Sequence, residues 1–145
     1  MVGLTLSDIA IEKVMADVVH PGAGGIDIFV GTTRNISQGK RVALLEYEAY
    51  EPMAIQIMEN LEREARERWP LLKVALIHRL GRVPVGEASV VVAVSSAHRK
   101  EAFEACRFLI DTLKRDVPIW KREHFEDGTV EWSGVNPMKI ISSKA

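Results

Sequence analysis

A single cysteine, Cys106, is all the chain carries, so no disulfide can close within it and no cysteine-based metal cluster can form. Such usage fits a reducing compartment. An excess of either charge is also missing: 19 Lys and Arg stand against 20 Asp and Glu, a formal net charge of −1. General nucleic-acid affinity is built from summed phosphate contacts, so a near-neutral chain is poorly made for it and any basic character must be local. Apolar runs are short, none approaching the ~20 residues that a membrane helix needs. Asp8, Glu12, Lys13 and Asp17 also break up the first twenty residues too often for a signal-peptide core. The expectation is a cytoplasmic protein that binds neither membrane nor nucleic acid. No HExxH or Cys-His set is present, and His20, His78 and His124 have no ligand spacing with His98. Gly22, Gly24 and Gly25 lack both the Rossmann fingerprint and the Walker ending, so they read as turn glycines. Neither a metal nor a bound cofactor is expected.

What is present suits one domain spanning residues 1–145, long enough to bury roughly two thirds of its unfolded surface. Ser7 or Asp8 can cap a helix running to about Val19, with Ile9, Val14 and Val18 on its apolar face. Gly25 to Thr32 reads as a strand leading into a polar loop that reaches Lys40, and Arg41 to Tyr50 alternates as its partner strand. Pro52 starts a helix to about Trp69 that carries Ile55, Met58, Leu61 and Ala65. Glu62-Arg66 and Glu64-Arg68 lie on its solvated face. Lys73 to Arg79 and Ala88 to Ser95 are strands joined by the extended turn LGRVPVGE. A third helix, Arg99 to Val117, aligns Ala102, Cys106, Leu109 and Leu113, with Phe103 and Ile110 beside them; Pro118 ends it. Ile119 to Phe125 and Thr129 to Trp132 make a hairpin around Glu126 to Gly128. From Ser133 the tail is weakly patterned, though Met138, Ile140 and Ile141 could dock. The sum is an α+β domain: three helices packed on mixed, largely antiparallel strands.

The stretch Ser95 to Glu123 strings His98, Arg99, Lys114, Lys121 and Arg122 along one strand-helix-strand passage, the outline of an anion site. His98 and Arg99 open the helix, where free N–H groups and the dipole favour negative charge. Taken alone, Lys114 can be simple compensation of the helix C-terminal dipole, Lys121 an edge-strand lysine, and Arg107 half of a surface pair with Asp111. Strand alternation turns Lys121 opposite to Trp120 and Arg122. In GTTRN, Gly31 permits close backbone approach, Thr32 and Thr33 offer hydroxyls and N–H groups, and Arg34 follows the strand. Cys106 lies on an apolar stripe and reads as a buried, inert thiol. Trp69, Trp120 and Trp132 read as core or interface anchors.

Together FVGTTRN, HRLGRVPVGEASVVV and SSAHR to IWKRE, in this order and spacing from about Gly22 to Trp132, resemble the large, catalytic subunit of molybdopterin synthase. That resemblance implies an α/β-hammerhead-like fold. It implies conversion of cyclic pyranopterin monophosphate (precursor Z) to molybdopterin, with two dithiolene sulfurs delivered by the C-terminal thiocarboxylate of a small ubiquitin-like subunit. A homodimer of large subunits within a heterotetramer is implied too. Lys114 and Lys121 match the family's principal catalytic lysines. Arg34 matches its substrate-anion arginine, although Thr33 stands where an apolar residue is expected. Thr32, Thr33, His98, Arg99, Arg122 and Glu123 are carried with them as substrate contacts. Chemically, a lysine crowded by other cations and partly desolvated has a lowered pKa and can act as nucleophile or acid-base catalyst near neutral pH. Two rivals use the same residues. One is a non-catalytic module holding a phosphorylated ligand or a partner's acidic tail; the other is a nucleic-acid module along His98 to Arg122, which lacks any RRM, KH or helix-turn-helix signature.

Overall fold

The computed structural model describes residues 1–134; Met138, Ile140 and Ile141 lie outside them. Twelve elements follow in order: β1 (Val2–Thr5), α1 (Ile11–Val18), β2 (Gly25–Thr32), β3 (Ile36–Ser37), β4 (Lys40–Ala49), α2 (Glu51–Arg68), β5 (Leu71–Arg79), β6 (Gly81–Pro84), β7 (Ala88–Ser96), α3 (Arg99–Asp116), β8 (Ile119–Phe125) and β9 (Val130–Gly134). They make two sheets. The first runs β1-β5-β7-β2, and the second runs β3-β4-β8-β9 with β6 also paired to β4. Among the described residues only β1 pairs in parallel, with β5.

Burial explains the first sheet. Every residue of β7 after Ala88 is buried, which requires cover on both faces. Val90, Val92 and Val94 pack against Met58, Leu61 and Ala65 of α2 and Ala102, Cys106, Leu109 and Leu113 of α3. Val91 and Ala93 face the other way, onto Val14 and Val18 of α1. The apolar stripes anticipated on α2 and α3 are thus the surfaces that meet the sheet, and the Glu62-Arg66 and Glu64-Arg68 pairs form at 3.0 and 2.8 Å on the outer face. A smaller core of Val42, Leu45, Tyr47, Leu80, Val83 and Phe125 lies under the second sheet.

Several expectations are corrected. β2 pairs along its length with β7, and β4 joins the second sheet against β6 and β8, so the two are not partners. Capping by Ser7 or Asp8 does not occur: α1 begins at Ile11 after Ala10, while Ser7 bonds Thr5 and Asp8 pairs with Arg79 at 3.1 Å. The polar loop before Lys40 contains β3, closed by Gln38 and Gly39 at positive φ. Phe103 does not join the α3 stripe and is 58% exposed.

The turn LGRVPVGE also holds a strand, β6. Gly81, at φ 81°, swings the chain out of the first sheet and into the second within two residues of Arg79. The end of β5 therefore sits at the seam between the sheets, where α3 also ends.

Candidate active site

At that seam lies a cavity of about 190 Å³, lined by Tyr47, His78, Leu113, Lys114, Val117, Ile119 and Lys121. Four elements, α3, β8, β4 and β5, converge there. Lys114 stands in the last turn of α3, which stops at Val117 because Pro118 follows. The chain then turns directly into β8, where alternation brings Ile119 and Lys121 to the inner face. Register sets Lys121 opposite Tyr47 of β4. His78, on β5, faces the same side as Val74 and Leu76 and so meets the end of α3.

Among the described residues neither lysine has an ionic partner or donates a hydrogen bond to protein. Lys121 is half-buried and Lys114 is exposed at the rim. Desolvation lowers the pKa of Lys114, and the positive charge of Lys121 lowers it further. The wall behind them is tuned differently. Burial pushes the His78 imidazole down to about 4, despite its hydrogen bond to the Arg79 carbonyl, and the charge of Lys114 adds to the effect. Burial pushes the Tyr47 phenol up; a hydrogen bond with Ser89 opposes this and the Glu123 carboxylate reinforces it. Two crowded cations over a neutral, buried floor can attract an anion and supply an amine able to give or take a proton.

The other candidate residues are distributed unevenly. Arg34 is exposed in the turn after β2, at the end of the first sheet where α3 finishes, but it does not line the cavity. Thr32 is exposed beside it. Thr33 is 2% exposed; its hydroxyl donates to the Val83 carbonyl at 3.3 Å and its N–H to Glu87, so it fastens the β6–β7 loop and offers a ligand no free hydroxyl. Glu123 follows Lys121 on the inner face but is only 5% exposed, with Oε1 3.4 Å from Ser133 Oγ and Oε2 unpaired, behind the lining residues. Arg122 points to the opposite face, as alternation requires. There it bonds Glu48 at 3.1 Å and lies over the Trp132 ring at 4.4 Å, so it does not enter the cavity.

His98 and Arg99 are exposed at the start of α3. Fifteen residues of straight helix, at ~1.5 Å each, put Arg99 about 22 Å from Lys114, so one chain does not bring them into one site. Arg107 is a surface residue, 3.5 Å from Asp111. Cys106 is buried, its thiol pushed up to about 12 by desolvation first and by Asp27 second, consistent with an inert group. Tyr47 and His78 are lining residues that pattern reasoning did not single out. His78 had one available signal, its place in HRLG at the end of an apolar strand.

A family model described as MoaE protein matches residues 4–116. The molybdopterin synthase catalytic subunit of Halalkalibacterium halodurans is 47% identical over 126 residues, 87% of this chain and 80% of that protein. Its human counterpart is 46% identical over 134 residues, 92% of this chain and 71% of that one. Among solved structures, molybdopterin synthase from Staphylococcus aureus superposes with a TM-score of 0.86 at 34% identity, covering 90% of this chain and 95% of that one. The same α+β fold recurs at 19% identity and a TM-score of 0.73, over 93% of this chain and 88% of that one, in the complex of subunits 1 and 2 of molybdopterin-converting factor from Helicobacter pylori.

Proposed function

The chain belongs to the MoaE protein family, and from that premise we propose that it is a sulfur-transferring enzyme of molybdenum cofactor biosynthesis. It acts as one catalytic domain that converts cyclic pyranopterin monophosphate to molybdopterin, taking two sulfurs from the thiocarboxylated C-terminus of a small ubiquitin-like subunit. The observation that carries this reading is the pair of lysines, Lys114 and Lys121, lining one cavity without an ionic partner among the described residues, with the basicity of Lys114 lowered by desolvation and by its neighbour. Lys114 is the residue closest to sulfur transfer, and Lys121 its electrostatic or acid-base partner. A carboxylate-like tail and a substrate phosphate are both anions suited to such a pocket.

The size of the cavity supports a site completed by other chains. About 190 Å³ falls below the roughly 300 Å³ at which small-molecule sites usually begin. The small subunit's tail is one contributor; a complex of two subunits from H. pylori supports such a partner. A second copy of this chain is the other. His98 and Arg99, about 22 Å from Lys114 along their own helix, reach a cavity of this kind only from the second protomer of a homodimer, within a heterotetramer. Arg34, with Thr32 beside it, binds substrate anion at the open end. No helix among the described residues is long and apolar enough to cross a membrane, and the reading places the enzyme in the cytoplasm.

The test combines the purified chain with thiocarboxylated small subunit and cyclic pyranopterin monophosphate and follows dithiolene product, for the intact chain and for Lys114→Ala. Product from the first and almost none from the second is expected. Absence of product from the intact chain while the partner binds would replace catalysis with a module that only holds the phosphorylated ligand or the acidic tail.

A further inference from the structure

The seven lining side chains divide by what they can offer. Leu113, Val117 and Ile119 are apolar, and Lys114 and Lys121, while protonated, only donate hydrogen bonds. Acceptors remain on two residues, Tyr47 and His78. The Tyr47 hydroxyl neighbours Ser89, whose own Oγ donates to the Gly31 carbonyl at 3.2 Å. His78 is more completely specified. Its Nδ1 lies 2.8 Å from the Arg79 carbonyl oxygen, a group that can only accept, so in the neutral ring Nδ1 carries the hydrogen and Nε2 keeps its lone pair. Tyr47 meets the imidazole edge-on, with centroids 4.9 Å apart and planes at 68°, which together with the Nδ1 bond fixes the plane of the ring. Among the described residues Nε2 has no protein partner, yet it is not one of their sealed, unpaired polar atoms; His78 lines the cavity, and Nε2 is its one ring nitrogen free to face it.

Building on the sulfur-transfer reading, we propose that His78 is a positioning residue for Lys114: its Nε2 accepts an N–H from the Lys114 side chain and turns the amine's lone pair into the cavity. Lys114 needs such an acceptor, having none among the described residues and four rotatable bonds in its stem. The choice of a neutral acceptor has a chemical reason. A carboxylate in this place would orient the lysine equally well but hold it protonated, whereas a buried imidazole orients it while adding little to the stability of the ammonium form. The ring is kept neutral by burial and by the charge of Lys114 itself, which push it down to about 4.

Two substitutions separate this role from packing. His78→Gln carries an amide oxygen to about the position of Nε2, while His78→Leu fills the space with no acceptor. In the assay with thiocarboxylated small subunit, His78→Leu is expected to lower kcat about 10- to 100-fold, with KM for that subunit within about twofold, and His78→Gln to stay within about fivefold of the parent. Equal loss in both variants, or no loss in either, would overturn the proposal. Nitrogen-15 spectra of the histidine side chains provide a readout independent of turnover. They should show the Nδ1–H tautomer for His78 in the chain alone and, in the complex with the small subunit, a displacement of Nε2 on Lys114→Met. An Nε2–H tautomer, or an Nε2 signal indifferent to Lys114, would sink the idea even if the Leu variant failed to fold. A parent protein without product but with the expected spectra would instead count against the sulfur-transfer reading alone.

Discussion

Lys121 acts on Lys114 from a different element: the two ammonium groups reach one cavity from β8 and from the last turn of α3, and the charge of the first lowers the pKa of the second. A pair of cations held together in this way repels itself unless an anion is bound, so any anion that enters the cavity would relieve a repulsion already present in the free protein.

The coupling has a definite sign in a pH profile. If the amine of Lys114 is the reactive form, the rate rises with pH through its lowered pKa. Removing the neighbouring charge by Lys121→Met should raise that pKa and move the limb to higher pH, while Lys121→Arg should leave it near its original place. A limb that moves the other way, or not at all, would show that the profile reports a different group.

His78 should make its own contribution to acid sensitivity. Its folded pKa is lowered from 6.5 to about 4, so the folded state binds fewer protons than the unfolded one between those values. The stability it confers is complete above pH 6.5 and is lost as pH falls toward 4, amounting to about 3 kcal/mol over the window. Urea unfolding of the parent and of His78→Gln at several pH values should show this extra loss only in the parent.

Cys106 should ignore thiol reagents until the chain unfolds. Its thiol is buried and pushed up to about 12, so thiolate is scarce at neutral pH and access is blocked. Cys106→Ala is expected to retain full sulfur-transfer activity and to cost about 1 kcal/mol in stability. A large loss of activity in that variant with stability intact would return the residue to the chemistry.

Arg122 should register in stability and little in turnover. It is tied to Glu48 and Glu46 and stacked on Trp132, all on the outer face of the second sheet. Arg122→Ala is therefore expected to cost about 1 kcal/mol by thermal unfolding, with kcat within about threefold. Arg34→Ala should do the reverse and weaken substrate binding at unchanged stability.

Long periodic elements were legible before any coordinates. β2 keeps the limits anticipated for it, and α2 and α3 bury the stripes read from their spacing. Short strands were not, since the four residues of β1 and β6 and the two of β3 hold too few alternations to show a period. Pairing is not legible in this way: β2 and β4 are neighbours in sequence, whereas β2 finds β7 some sixty residues away. In the site, Lys114 and Lys121 were found through the family's motif. The outward turn of Arg122 was implied by the same alternation that points Lys121 inward. The separation of His98 and Arg99 from Lys114 could also have been worked out from helix rise alone. For His78 the one signal, its place in HRLG at the end of an apolar strand, does not suffice, because nothing near it in sequence reveals that the strand ends at a seam.

The β4–β8 register constrains the length of the chain as well as its composition. Tyr47 faces Lys121 only because the ladder is counted from a bulge between Val42 and Leu44. An insertion or deletion of a single residue on the site's side of that bulge, in β4 or β8, would invert the phase of the segment and present Trp120 or Arg122 where Lys121 now stands. Substitutions along these strands are thus cheap for the chemistry compared with changes of length. In this part of the chain the number of residues shapes the cavity as much as their identity does.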